Sequence, residues 1–164
     1  MQTLRELTRN HPRHGTVTWI GLRTEKRQPM TSVESVETDT SQGLLGDRYR
    51  GKRGNRQVTL IQAEHLPAVA AMVGADEIQP DALRRNVVIA GINLLGLKDQ
   101  RFRLGDAVLE YTGLCHPCSR MEEVLGPGGY NAMRGHGGIT ARVISSGKFA
   151  CGDSLAVLAD DGGR

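Results

Sequence analysis

Cys115, His116, Pro117 and Cys118 stand together directly before a stretch with helical spacing. Proline fixes its own φ, so Cys118 is expected at or near a helix N-terminus. There the dipole and free amides stabilise a thiolate, and His116 and Arg120 add positive charge nearby. A thiolate is a nucleophile and a soft metal ligand, whereas a neutral thiol is neither. Four readings of the cysteine pair stand open. It is a redox couple, half of a zinc site, a single functional thiol at Cys118, or two small buried hydrophobes. A redox couple of the thioredoxin type follows the first strand of a βαβ unit, but this pair comes late and after a hairpin. A zinc site needs about four ligands, and only His136 and Cys151 could complete it. Cys151, between Phe149-Ala150 and Gly152-Asp153, reads as a packing residue. On this basis Cys118 should be the most reactive thiol, Cys115 intermediate and Cys151 slow.

A thiol needs neighbours to hold a ligand, and charge supplies two sets of candidates. Lysine and arginine number 21 against 18 acids, a net charge of +3 that does not suggest a bulk nucleic-acid binder. The cations are nonetheless clustered: Arg48, Arg50, Lys52, Arg53 and Arg56 crowd one glycine-containing segment. Such a run is either a solvated loop or a local positive field for an anion such as a phosphate. Arg84, Arg85 and Asn86 precede an apolar run, and offer planar donor forks and an amide that both donates and accepts. The glycine-rich stretch from Gly126 to Gly138, which carries Arg134, reads as a loop that lets backbone approach a flat ligand.

The elements that must position these groups are mostly short and β-rich. Thr16–Arg23, Ser32–Thr38, Arg56–Ile61, the end of Leu83–Ala90, Ala141–Ser146 and Leu155–Leu158 read as strands. Arg101–Leu104 and Ala107–Thr112 flank Gly105-Asp106 as a hairpin. Gln62–Val73, containing Pro67, and Ser119–Leu125 read as helices. Gly105-Asp106 and Gly152-Asp153 echo each other, either by coincidence or as equivalent corners of a barrel. Strands and helices do not alternate, so the expected fold is mainly β (α+β): a closed or half-closed β-barrel of short mixed strands with a few peripheral helices. Val58, Leu60, Val88, Val108, Leu109 and Val143 should be mostly buried. Residues 1–15 read as an extension and 16–160 as one domain. With no apolar run near the roughly 20 residues of a membrane span, no secretory pattern at the start and an odd, low cysteine count, the chain is expected to be cytoplasmic and to avoid membranes.

Five pieces together resemble the MOSC family, the module that also forms the C-terminal domain of molybdenum cofactor sulfurases. They are Gly43-Leu-Leu-Gly-Asp-Arg-Tyr, Arg56-Gln-Val-Thr-Leu-Ile-Gln-Ala-Glu, Leu83-Arg-Arg-Asn-Val-Val-Ile-Ala-Gly-Ile, Arg103-Leu-Gly-Asp-Ala-Val-Leu-Glu-Tyr-Thr-Gly followed by Pro117-Cys118, and Ala141-Arg-Val-Ile-Ser-Ser-Gly-Lys-Phe-Ala-Cys-Gly-Asp-Ser-Leu. They occur in the family's order from about Gly43 to Leu155. The resemblance implies a β-barrel-like fold and the handling of molybdenum cofactor (molybdopterin) or its sulfur. It makes Cys118 the metal ligand or persulfide carrier. Arg48, Lys52, Arg53, Arg84, Arg85, Asn86, His116 and Arg134 are the candidates to hold the anionic pterin. Tyr49 stands where many members carry histidine. Cys115 is not a family cysteine, and could resolve a persulfide on Cys118 as a disulfide. Two activities fit: a cofactor or sulfur carrier, or a molybdenum-dependent reductase of N-hydroxylated substrates. Both imply a redox or sulfur-donor protein partner.

Overall fold

The computed structural model describes residues 1–48 and 54–160. Among these, the strands are β1 (Gly15–Leu22), β2 (Thr31–Val33), β3 (Ser35–Asp39), β4 (Gly43–Leu44), β5 (Val58–Gln62), β6 (Val87–Ala90), β7 (Arg101–Leu104), β8 (Ala107–Leu114), β9 (Ile139–Ser145), β10 (Lys148–Ala150) and β11 (Ser154–Val157). The helices are α1 (Leu4–Leu7), α2 (His65–Val73), α3 (Ser119–Leu125) and α4 (Gly129–Met133), with 3₁₀ turns at Pro80–Leu83 and Leu94–Leu97.

The strand order β11-β7-β8-β9-β5-β6-β1 closes on itself because β1 also pairs with β11, giving a seven-stranded barrel. The barrel is mixed, with β5 and β6 parallel and the other ring pairs antiparallel. Closure removes the exposed edges that an open sheet of such short strands would present. β2 extends the sheet beyond β1, and β10, β3 and β4 form a small second sheet.

Side-chain alternation divides the apolar residues into two cores. Val58 and Leu60 of β5, Val87 and Ile89 of β6, Leu109 of β8 and Val143 of β9 join Phe102, Phe149 and Leu155 inside the barrel. The intervening Ile61 and Val88 face outward, where Val69 and Ala70 of α2, Met121 of α3 and Ala132 and Met133 of α4 cover them. β5 and β6 are therefore buried on both faces, as a parallel pair with a helical crossover must be. Five of the six expected core residues are buried, and Val108 is only half-buried. It alternates outward between Ala107 and Leu109, which take the interior positions.

Several boundaries differ from expectation. Ser32–Thr38 is two strands interrupted at Glu34. The N-terminal fifteen residues contain α1, closed by a capping box between Thr3 and Glu6, and Gly15 already belongs to β1. The stretch from Gly126 to Gly138 is not a continuous loop, because α4 lies inside it. The Glu122 carboxylate accepts from the Gly128 and Tyr130 amides at 2.7 and 2.9 Å and so supplies the start of α4 with acceptors that its glycines cannot. The two Gly-Asp corners abut: a Cβ on Gly105 would lie 2.6 Å from Cβ of Phe149 and 2.8 Å from an Asp153 carboxylate oxygen.

Candidate functional site

Cys118 is the N-cap of α3, with extended backbone at φ −122° and ψ 174°, and is exposed. Its carbonyl accepts from the Met121 amide at 2.9 Å, while Met121, 1% exposed, anchors the helix in the outer core. Cys115 is buried and Cys151 is half-buried. Burial, reinforced by Glu34, pushes the Cys151 thiol above its usual range. Cys115 is thus less accessible than Cys151, although the sequence reading expects it to react faster. The chain turns inward at Cys115 because its amide donates to the Gly138 carbonyl at 2.9 Å. A side chain at Gly137 would run into the Cys115 carbonyl, and one at Gly138 into the Leu60 carbonyl. The glycines at the end of the 126–138 stretch therefore let the cysteine turn seat on the barrel wall. No three His, Cys, Asp or Glu side chains among the described residues are grouped to hold a metal, so the zinc reading gains no support.

Two residues beyond Cys118, Arg120 enters a pocket of about 470 Å³. Among the described residues, six cations, Arg23, Lys26, Arg27, Arg48, Arg84 and Arg120, line it with one acid, Glu25. The end of β1, the 3₁₀ turn before β6 and the start of α3 all converge there. Arg84 sits in the left-handed region at φ 57° and donates to the Gln28 and Glu25 carbonyls, which pins the basic turn after β1. Burial first, then the charges of Arg120 and Arg23, pulls the Arg84 guanidinium below the usual arginine range, and Asp47 opposes them. Arg120 Nε is shielded from solvent and has no hydrogen-bond partner among the described residues. Crowded like charges are a feature of a site built to receive an anion.

Asp47 and Asn86 hold the pocket wall from behind. Asp47, its side chain fully buried, accepts from the Arg23 amide, Nε and Nη2 and from Asn86 Nδ2. Asn86, 0% exposed, also donates to the Gly21 carbonyl and accepts from the amide and hydroxyl of Thr59 at 3.1 Å. Its amide is fully engaged within the protein, so it meets the pocket only through Arg23 and Asp47. Arg85 is also buried, at 6% exposure, and turns away from Arg84 toward the carbonyls of Leu83 and Gly137. His116 and Arg134 are exposed, and neither lines the arginine pocket. Lys52 and Arg53, with Tyr49 and Arg50, lie outside the described residues.

The structure thus brings Arg48 and Arg84 together, and puts Arg120 of the same pocket close in sequence to Cys118. Arg23, Lys26 and Arg27 were not candidates from the sequence, although Arg23-Thr-Glu-Lys-Arg is a basic run at a strand end. Asp47 was passed over because an acid adds nothing to a count of anion-binding groups.

The model for the MOSC domain matches residues 10–156. The chain belongs to the MOSC domain family. That membership gives it a molybdenum-cofactor-related function at the level of the family. Among solved structures, the YuaD protein of Bacillus subtilis superposes with a TM-score of 0.77 at 20% identity, over 88% of this chain and 96% of that one. YiiM of Escherichia coli gives 0.70 at 19% identity, over 90% and 71% of the two chains. YiiM of Geobacillus stearothermophilus gives 0.73 at 16% identity, over 91% and 77%. These similarities establish a shared MOSC fold. No curated protein matches the chain. No helix among the described residues is long and apolar enough to cross a membrane.

Proposed function

We propose that this MOSC domain holds a molybdenum cofactor with Cys118 as its thiol anchor and the arginine pocket as the seat of the pterin's phosphate. The observation that carries the reading is the arrangement of Cys118 and Arg120. An exposed thiol stands two residues from Arg120, which with five other cations among the described residues lines the pocket. The donor set suits the group. Thiolate sulfur is a soft ligand for molybdenum or sulfane sulfur, and guanidinium forks match phosphate oxygens. Arg120, Arg48, Lys26 and Arg27 would neutralise the phosphate. Arg84 and Arg23, already tied to carbonyls and to Asp47, would hold the pocket's shape and add charge. When bound, the cofactor would supply a thiophilic redox metal. The chain's own residues would fix its orientation and present the thiol. Exposure of Cys118 keeps that thiol open to an electron- or sulfur-donating protein partner, and we place the protein in the cytoplasm, where such a thiol stays reduced.

The test is purification from a host that makes the cofactor, with molybdenum, oxidised-pterin fluorescence and cyanide-labile sulfur measured per chain. Molybdenum and pterin in equal, near-stoichiometric amounts support the proposal. Labile sulfur on Cys118 without metal would replace it with sulfur carriage.

A further inference from the structure

Arg85 is a cation that the barrel has buried without a counter-charge. It is 6% exposed, and no carboxylate among the described residues pairs with it. Nη1 donates to the Leu83 carbonyl at 2.8 Å and Nε to the Gly137 carbonyl at 3.0 Å. Nη2 is shielded from solvent and has no hydrogen-bond partner among the described residues. Its position is known from Gly137, where a Cβ would lie 3.2 Å from Nη2 and also run into the Cys115 carbonyl. The free nitrogen therefore faces the inner side of the cysteine turn. The next glycine closes the connection, since the Gly138 carbonyl takes the Cys115 amide. A buried, unpaired charge is costly, and a methionine of similar length would fill the same space without that cost.

We infer that Arg85 is the positioning residue of the cysteine turn: it holds the Gly137 backbone on which the turn rests and sets a buried positive charge behind the Cys118 thiol. Arg84 and Arg85, adjacent in sequence, thus divide two tasks. The first shapes the anion pocket, and the second supports the thiol from within. The inference rests on Cys118 being the functional thiol, but its test reads that thiol directly and needs no cofactor.

The full chain, free of cofactor, is labelled with iodoacetate and with iodoacetamide, and each cysteine's rate is read by peptide mapping. The rate ratio of the anionic to the neutral reagent reports the local potential, and the thiolate fraction cancels from it. Arg85→Met removes charge and donors at nearly constant volume. Arg85→Lys keeps the charge but cannot bridge both carbonyls. In Arg85→Met the Cys118 ratio should fall about three- to tenfold, an effect on the order of that of removing one nearby unit charge in a partly solvated medium. In Arg85→Lys it should stay within about twofold of the parent, because the charge remains. Cys115 should become labelled in both variants as its seat loosens. An Arg85→Met ratio equal to the parent's, or Cys115 still protected in both, overturns the inference whatever the loss in Tm. If Arg85→Met does not fold, Arg85→Lys decides alone: newly labelled Cys115 supports the inference and continued protection overturns it.

Discussion

Replacing Arg120 with glutamine should stabilise the empty protein while weakening its hold on anions. In the structure, Arg120 pushes against the Arg84 guanidinium and leaves its own Nε without a partner. Two like charges in one pocket repel by on the order of 0.5 kcal/mol at the dielectric of water and on the order of 2 kcal/mol at an effective value of 20. A partly open pocket lies toward the lower figure, and the orphaned donor costs about 1 kcal/mol more. The net gain, after losing some packing of the arginine stem, is about 1 kcal/mol, or roughly 2–4 °C in Tm for a domain of this size. Scanning fluorimetry at low salt reads that rise, and about 1 M NaCl should remove the part that comes from repulsion by screening while leaving the part that comes from the orphaned donor. The same charge is a phosphate contact worth about 1.5–3 kcal/mol, so inorganic phosphate should bind roughly 10- to 150-fold more weakly by thermal-shift titration. A variant less stable than the parent at low salt, with phosphate affinity unchanged, would refute the reasoning.

The thiols should alkylate in the order Cys118, Cys151, Cys115, following exposed, half-buried and buried positions; peptide mapping that finds Cys115 ahead of Cys151 contradicts the seating of the turn. Gly138→Ala should cost about 3 kcal/mol or more, because φ +84° is strained for alanine and its Cβ meets the rigid Leu60 backbone; denaturant unfolding checks this, and a loss under 1 kcal/mol is the contrary result. Hydrogen bonding to Arg101 first, and then Arg142, holds the Glu110 carboxyl below its ordinary 4.5. Its contribution is therefore complete above about pH 5 and is lost as pH falls through the depressed folded value. Glu110→Gln should lower Tm by about 1–3 °C at pH 7, with the gap to the parent closing in acid; a gap independent of pH would contradict the assignment.

How much of this was legible in the sequence depends on the range over which each signal acts. The barrel could be read because β-branched runs such as Val58–Gln62 and the Gly105-Asp106 corner are local features. α4 was missed because its N-cap Gly128 and the nearby Gly126, both at positive φ, disguise a short helix that is stabilised from outside by Glu122. The cysteine turn was legible at Cys118, since proline and helical spacing sit beside it. Burial of Cys115 was not, because it depends on Gly138, more than twenty residues away in the chain. Arg84, Arg85 and Asn86 show the same limit. Three adjacent polar residues read as one ligand-binding group, yet left-handed backbone at Arg84 sends them to the pocket, the cysteine turn and the Asp47 network in turn.

The account stands most directly on the bond between Cys118 and the metal. Molybdenum K-edge absorption spectra of the protein purified from a cofactor-producing host, and of its Cys118→Ser variant, measure that bond through the sulfur atoms around the metal. A molybdenum shell that loses one sulfur in the variant, or a variant that no longer retains molybdenum, is the predicted result. Parent protein without molybdenum, or identical sulfur shells in the two proteins, would contradict it.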